Sequence, residues 1–157
     1  MEDQTTITGD LTPEELEVAF AIRHEVFVRG QGIPEELDRD GRDRSARHVL
    51  VYSGGRGAAT GRVIVAASGE ATLARVAVIR NCRGRGLGRR VVEELEAIAK
   101  AAGATTLRLR PHHYLEAFYE SLGYETVSGT DFVAGHKLIT MTKRIPRHRE
   151  ETTEQSA

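Results

Sequence analysis

Three glycines in five residues, Gly84, Gly86 and Gly88, separate an apolar run ending at Ile79 from a stretch of helical periodicity between Leu87 and Ala102. A strand that turns through glycines into a helix has few uses. Without side chains in the turn, backbone N–H groups come close to a ligand. The helix that follows aims the positive end of its dipole at the same point. Such a turn binds an anion, most often a phosphate. Arg89 and Arg90 open the helix, where cations oppose the dipole at a cost of roughly 0.3–1 kcal/mol each. With Arg83 and Arg85 beside them, they read as partners of a multiply charged anion rather than as solvated surface.

Spacing limits which anion. No GxxxxGK[ST] run exists, so a Walker-type loop is excluded. The dinucleotide fingerprint GxGxxG fails too, because the third glycine falls one residue early and Arg89 stands at its place. The turn also lies in mid-chain after strand-patterned segments, not after a first strand.

The rest of the chain gives the turn its setting. Thr12-Pro13-Glu14-Glu15 reads as a capped helix start, with an apolar stripe from Leu16 to about Val28. From Glu35 to Arg47 charged residues crowd together, which predicts a solvated loop with one helical turn at Pro34–Leu37. Strands are expected at His48–Tyr52, Thr60–Ala67 and Thr72–Ile79, with a hairpin at Ser53–Gly57. In the third of these, alternation places Val76 and Val78 on one face and Leu73, Ala77 and Ile79 on the other. After the helix from Leu87 to Ala102, ended by Gly103, come a strand at Thr105–Arg110, a short helix at Tyr114–Leu122, and strands at Tyr124–Val127 and Leu138–Lys143. The single strand–helix–strand crossover, at residues 72–110, predicts a mixed α/β sheet rather than a doubly wound one. A single domain over 1–145 is expected, with 146–157 as a disordered polar tail.

Composition removes several functions. The 157 residues carry 22 Lys+Arg against 23 Asp+Glu, which gives no general reason to bind nucleic acid or a membrane. Cys82 is the only cysteine, so an intramolecular disulfide is impossible, and no HxxxH-type pair offers metal ligands. No metal is expected. The first ten residues lack the apolar core of a signal peptide, and no apolar run approaches the ~20 residues of a membrane span. The cytoplasm is the expected compartment.

Arg83, Gly86 and Gly88 make the pattern R-x-x-G-x-G, preceded by the strand end Val76-Ala77-Val78 and followed by an amphipathic helix. Downstream, Phe118-Tyr119 leads after three residues to Gly123-Tyr124 and is similar to an A-x-x-F-Y-x-x-x-G-F helix and turn, with Leu115 in the place of its alanine. Together these features resemble the GNAT superfamily of acyl-CoA-dependent N-acetyltransferases over about residues 12–144. Arg23, Val26, Phe27, Val28, Gln31, Pro34, Asp38, Asp40 and His48 further resemble its ElaA/YjcF-like subgroup. The last hairpin departs from that subgroup, which often has a histidine three residues before a methionine. Leu138 stands there before Met141, and His136 lies two residues earlier.

The resemblance implies an α/β (α+β) fold: a mixed, mostly antiparallel sheet flanked by helices, with a splayed strand pair at an acyl-CoA cleft. It implies acetyl-CoA as co-substrate. Arg83, Gly84, Arg85, Gly86, Leu87, Gly88 and Arg89 would hold the pyrophosphate, and Phe118 would lie against the cofactor. Backbone groups of Val76, Ala77 and Val78 would pair with the pantetheine arm. Tyr119 would face the thioester and protonate the leaving thiolate. The partner implied is a small-molecule or peptide amine; a homodimer is left open. For the base that takes the amine's proton, Glu36, Asp38, Asp40, His48, Glu70, His112, His113 and His136 are all candidates, and no spacing selects among them. Two other readings stand beside this one: a non-catalytic acyl-CoA sensor of the same fold, and a nucleic-acid-binding module using the Arg80–Arg90 cluster.

Overall fold

The computed structural model describes residues 4–146, so the expected tail past Pro146 lies outside the described residues. Seven strands form one sheet in the order β1-β2-β3-β4-β5-β7-β6. They are β1 Gln4–Gly9, β2 Arg47–Ser53, β3 Arg56–Val65, β4 Glu70–Val78, β5 Thr106–Leu109, β6 Glu125–Val133 and β7 His136–Arg144. Only β4 and β5 pair in parallel, joined across the sheet by helix α3, Leu87–Ala101. All other neighbours are antiparallel, as the order of motifs predicts. The sequence reading omits β1. Its Gln4-Thr5-Thr6-Ile7-Thr8 has only one apolar residue, because an edge strand has one neighbour and little to bury.

Helix α1, Pro13–Arg23, begins with the predicted capping box. The Glu15 N–H donates to Thr12 Oγ1 at 3.1 Å, and the Thr12 N–H donates to Glu15 Oε1 at 2.8 Å. The expected helix to Val28 is continuous, but its last part, His24–Arg29, winds as a π-helix. A single-turn helix α2, Glu35–Asp38, and a second short one, α4, Glu116–Ser121, complete the set.

The sheet is covered on both faces. Val91, Val92, Leu95 and Ala99 of α3 are fully buried against one face, and Ala19 and Ile22 of α1 against the other. The fit is tight at Gly61 on β3. A Cβ there would lie 2.7 Å from Val91 Cγ1 and 2.9 Å from Leu95 Cδ1, so any larger residue would push α3 off the sheet.

Strand β4 departs from the predicted alternation. Thr60 pairs with Ala77 and Arg62 with Ala74, so Gly61 faces both Arg75 and Val76. This two-against-one arrangement is a β-bulge, and Arg75 sits in it at φ 58°. The extra residue shifts the alternation by one. Leu73, opposite Val63, therefore shares a face with Val76 instead of opposing it.

The charged run after α1 is not the solvated loop that its composition predicts. Asp38 is 3% exposed and is held by Arg23, itself 1% exposed, at 3.1 Å. Asp43 takes Arg23 Nη1 at 2.7 Å and Arg62 Nη1 at 3.0 Å. Asp40 takes Arg62 Nη2 at 2.7 Å and Arg75 Nη2 at 3.3 Å. Three arginines from α1, β3 and the bulge of β4 thus face three aspartates of one loop. The Arg62 guanidinium, hydrogen-bonded to Asp40, holds that carboxyl well below the usual carboxylate range. Burial pushes Asp43 up, but hydrogen bonds and charge from Arg23 and Arg62 overcome this and hold it low. His48, expected at a strand start, is buried with Nε2 3.1 Å from the Asp43 carbonyl oxygen, and burial lowers its pKa.

Removing one partner of this network leaves buried charge unmatched. Arg23→Met should cost about 3–5 kcal/mol of stability in urea unfolding. Acid should act in two steps of the same sign. The folded pKa of His48 is depressed, so its contribution is complete above about pH 6.5 and declines below it. Asp40 and Asp43 are also depressed, and their contribution is complete above about pH 4 and is lost below. His48→Gln should remove the upper step and Asp40→Asn should shrink the lower one, read as unfolding free energy against pH.

Candidate functional site

Strands β4 and β5 pair only from Glu70–Thr106 to Thr72–Arg108. Beyond that they part, as predicted, and two local causes are visible. The bulge at Arg75 turns β4, and β5 follows β7 instead, as far as the pair Leu109–Met141. Pro111 then ends any ladder on its own N side, having no N–H to give, while its carbonyl accepts from Ile139. The part of β4 from Val76 to Val78 therefore has a strand partner, β3, on one side only.

The glycine turn reaches the same opening. Gly84 and Gly86 have φ of 79° and 78°, the left-handed region that glycine enters without strain. Gly86 caps α3 with no side-chain hydrogen bond, and the first bond across the cap runs from the Arg90 N–H to Gly86 O. The N–H groups of Leu87, Gly88 and Arg89 thus have no partner within the helix. The Leu87 side chain is buried, so this residue can offer a ligand only its backbone. A Cβ on Gly88 would meet Val78 Cγ2 and Phe118 Cζ, both at 3.8 Å, which puts the predicted pantetheine strand, the turn and Phe118 side by side. Arg83, Arg85 and Arg89 are exposed around the turn. Arg83 Nε donates to the Val78 carbonyl at 3.0 Å. Arg90 is directed elsewhere, to Gln4 of β1 at 3.4 Å.

On the far side of the opening lies a cavity of about 190 Å³. Its floor includes Leu73, Val76, Leu109 and Tyr119, and Phe27, Ile33 and Leu138 line its walls. Tyr119 is 5% exposed, packed edge-on between Phe118 and Tyr124. Burial pushes its hydroxyl up to about 12. It therefore stays protonated at neutral pH and can donate a proton.

The cavity also separates the base candidates. His112 and His136 both line it, with ring centroids 4.9 Å apart. His112 Nε2 lies 2.9 Å from Gln31 Oε1, and His136 Nε2 lies 2.8 Å from the Gln31 carbonyl oxygen. That carbonyl only accepts, so His136 Nε2 carries hydrogen. Burial, with His136 and His113 nearby, lowers the pKa of His112 and favours its neutral form. The other candidates are elsewhere. Asp38 lines the cavity but is tied to Arg23; Asp40 and His48 belong to the buried network. Glu36 is exposed, Glu70 faces Arg108 and His113 is exposed. None of these three lines the cavity. Cys82 is buried. Among the described residues no group of His, Cys, Asp and Glu is placed to hold a metal, and no helix is long and apolar enough to cross a membrane.

A phosphate-competent glycine turn, a parted strand pair and a buried tyrosine occupy one opening. The family model described as an acetyltransferase (GNAT) domain matches residues 7–145. The chain belongs to the GNAT acetyltransferase family. Its GNAT relatives include a Bacillus subtilis protein described as an acetyltransferase, 36% identical over 135 residues, which cover 83% of this chain and 90% of that one. A second from the same organism is the N-acetyltransferase YjcF, 32% identical over 131 residues, covering 83% and 93%. The crystal structure of Escherichia coli ElaA matches the GNAT fold with a TM-score of 0.80 at 23% identity, covering 92% and 100% of the two chains. A Bacillus subtilis acetyltransferase solved in complex with CoA shares the fold at 14% identity, with a TM-score of 0.69 over 92% and 100%. The subgroup resemblance read from residues 23–48 is thereby upheld.

In this GNAT chain the last hairpin explains its own departure. His136 and Leu138 are two residues apart on β7, and period-two alternation points both into the same cavity. Sequence reading missed Gln31 as the residue holding both histidines, and missed Arg75 and Arg110, which also line the cavity. A φ of 58° on a non-glycine residue has no signature in sequence. In an NMR pH titration His112 should show a midpoint below about 6.5, and Gln31→Ala should change that midpoint.

Proposed function

We propose that this GNAT protein is an acetyl-CoA-dependent N-acetyltransferase that moves an acetyl group to a primary amine by direct attack in a ternary complex. The observation that carries the reading is the parted β4–β5 pair, with the glycine turn on one side of the gap and the Tyr119 cavity on the other. The first turn of α3 offers the N–H groups of Leu87, Gly88 and Arg89, with Arg83 and Arg85 nearby, to a pyrophosphate. That opening admits an extended arm beside Val76–Val78, where the backbone lacks a second strand. Arg83 now donates to Val78 O, and in the proposed complex it exchanges that carbonyl for the phosphate. The fold neighbour solved with CoA supports the donor class.

The chemistry needs one base and one acid. His112, neutral and fixed by Gln31, takes the proton from the amine. Tyr119 gives its proton to the leaving sulfur. Among the described residues no cysteine, serine or threonine lines the cavity, and Cys82 is buried outside it. The proposed compartment is the cytoplasm.

Acetyl-CoA at a hundredfold excess over its Kd should raise Tm by roughly 5 °C or more, and Gly86→Glu should remove the shift by placing a strained carboxylate where the phosphate lies. No shift at millimolar acetyl-CoA would sink the donor assignment, and a shift with duplex DNA alone would favour the arginine cluster as a nucleic-acid interface. Tyr119→Phe should lower kcat about 100-fold while keeping the acetyl-CoA shift. A wild-type protein that binds acetyl-CoA but acetylates none of a broad panel of amines would instead be a sensor.

A further inference from the structure

The acceptor is decided by which charged groups in the cavity wall keep free hydrogen-bonding capacity. The acidic loop around α2 could in principle attract a polycation, but its aspartates are already paired, and Glu35 and Glu36 are exposed outside the cavity lining. Among the described residues, Asp38 is the only carboxylate lining the cavity. It receives Arg23 Nε at 3.1 and 3.3 Å and lies 3.2 Å from Arg75 Nε. Asp40 and Asp43 face Arg62, Arg75 and Arg23. A second ammonium group on an acceptor would find no free carboxylate there, and it would meet Arg75 at close range.

The opposite wall has a guanidinium with unused donors. Arg110, at the end of β5, lines the cavity and is 41% exposed. Its Nη2 donates to Asp131 of β6. Its Nε and Nη1 make no hydrogen bond among the described residues. Arg110 and His112 lie two residues apart on extended chain, and both line the cavity. A guanidinium that can take a carboxylate thus stands beside the proposed proton acceptor. The remaining lining is largely apolar, with Phe27, Ile33, Leu73, Leu115 and Leu138 among it. At about 190 Å³, the space is below the roughly 300–1,000 Å³ of sites for drug-sized ligands.

We infer that the acceptor is a free apolar α-amino acid whose carboxylate is held by Arg110, whose amine faces His112 and whose side chain fills the apolar wall. Polyamines and aminoglycosides are disfavoured, because the carboxylate in the lining, Asp38, is already matched. A peptide N-terminus is disfavoured because its α-carboxyl is an amide, with no charge for Arg110. The inference rests on the transferase reading for its chemistry, but acceptor binding can be measured without turnover.

The test is calorimetric titration of the protein saturated with CoA, using L-phenylalanine against 2-phenylethylamine, L-leucine against isopentylamine, and spermidine. Each amino acid should bind at least tenfold more tightly than its decarboxylated partner. Arg110→Gln should bring each pair within about twofold, mainly by weakening the amino acid. Asp131→Asn, which leaves Arg110 without an anionic partner, should tighten the amino acids two- to fivefold and leave the simple amines unchanged. A merely structural role for Arg110 would weaken both members of a pair alike. That result would overturn the inference, as would spermidine or the simple amines binding as tightly as the amino acids, or no heat from either amino acid. Free-CoA release from acetyl-CoA, run in parallel, separates the two readings. Turnover of simple amines at a higher kcat/KM would leave the transferase standing and remove the amino-acid acceptor. The predicted binding pattern with no turnover of any amine would do the reverse.

Discussion

The structure depends on a balance of six buried or half-buried charges. Arg23, Arg62 and Arg75 come from α1, β3 and β4; Asp38, Asp40 and Asp43 come from one loop that would otherwise have little reason to stay. Removing water from these groups is expensive, and only their mutual pairing and hydrogen bonds offset the cost. Burial of this kind does little for net stability compared with an apolar substitute, but it is demanding about geometry. The loop can lie in one place, and that place makes one wall of the cavity. The same network consumes Asp38, Asp40 and His48 as chemical candidates and leaves the site to the histidines on the far wall.

A second constraint is the bulge in β4. One extra residue at Arg75 shifts the alternation, directs the arginine into the network and turns the strand away from β5. The opening between the two strands is therefore tied to the charge balance through a single residue held at positive φ. Strain at such a site is sustained when surrounding contacts fix it, and here Asp38, Asp40 and the Leu37 carbonyl all take hydrogen bonds or charge from Arg75. The proposed donor turn and acceptor cavity meet where that strand parts from its neighbour.

Much of this was legible in the sequence, for identifiable reasons. The Thr12–Glu15 capping box, the glycine turn, the amphipathic α3 and the Phe118-Tyr119 helix are local patterns, and local physics determines them. The mixed sheet followed from one crossover among hairpins. What sequence hid was long-range pairing. Asp38 and Arg23 are fifteen residues apart, and Asp40 and Arg75 thirty-five, so a dense run of charges looked like solvated surface. Gln31 was visible as part of a subgroup pattern, but its task, holding His112 and His136 from more than eighty residues away, needed the fold. β1 was hidden because an edge strand buries too little to show in hydropathy.

The burial of Tyr119 has a consequence for where protons go. A hydroxyl pushed up to about 12 never rests ionised, while burial keeps His112 in its neutral form. The site thus idles with one proton loaded on oxygen and one vacancy on nitrogen. In the proposed transfer, if the nucleophile arrives uncharged, the proton it loses is matched by the one given to sulfur, and the pair is restored by moving one proton internally from imidazolium to phenolate. If it arrives as a cation, one proton is left over on each cycle. In the proposed transfer the partly exposed imidazole is the exit for that proton, since the phenol is buried against Phe118 and Tyr124.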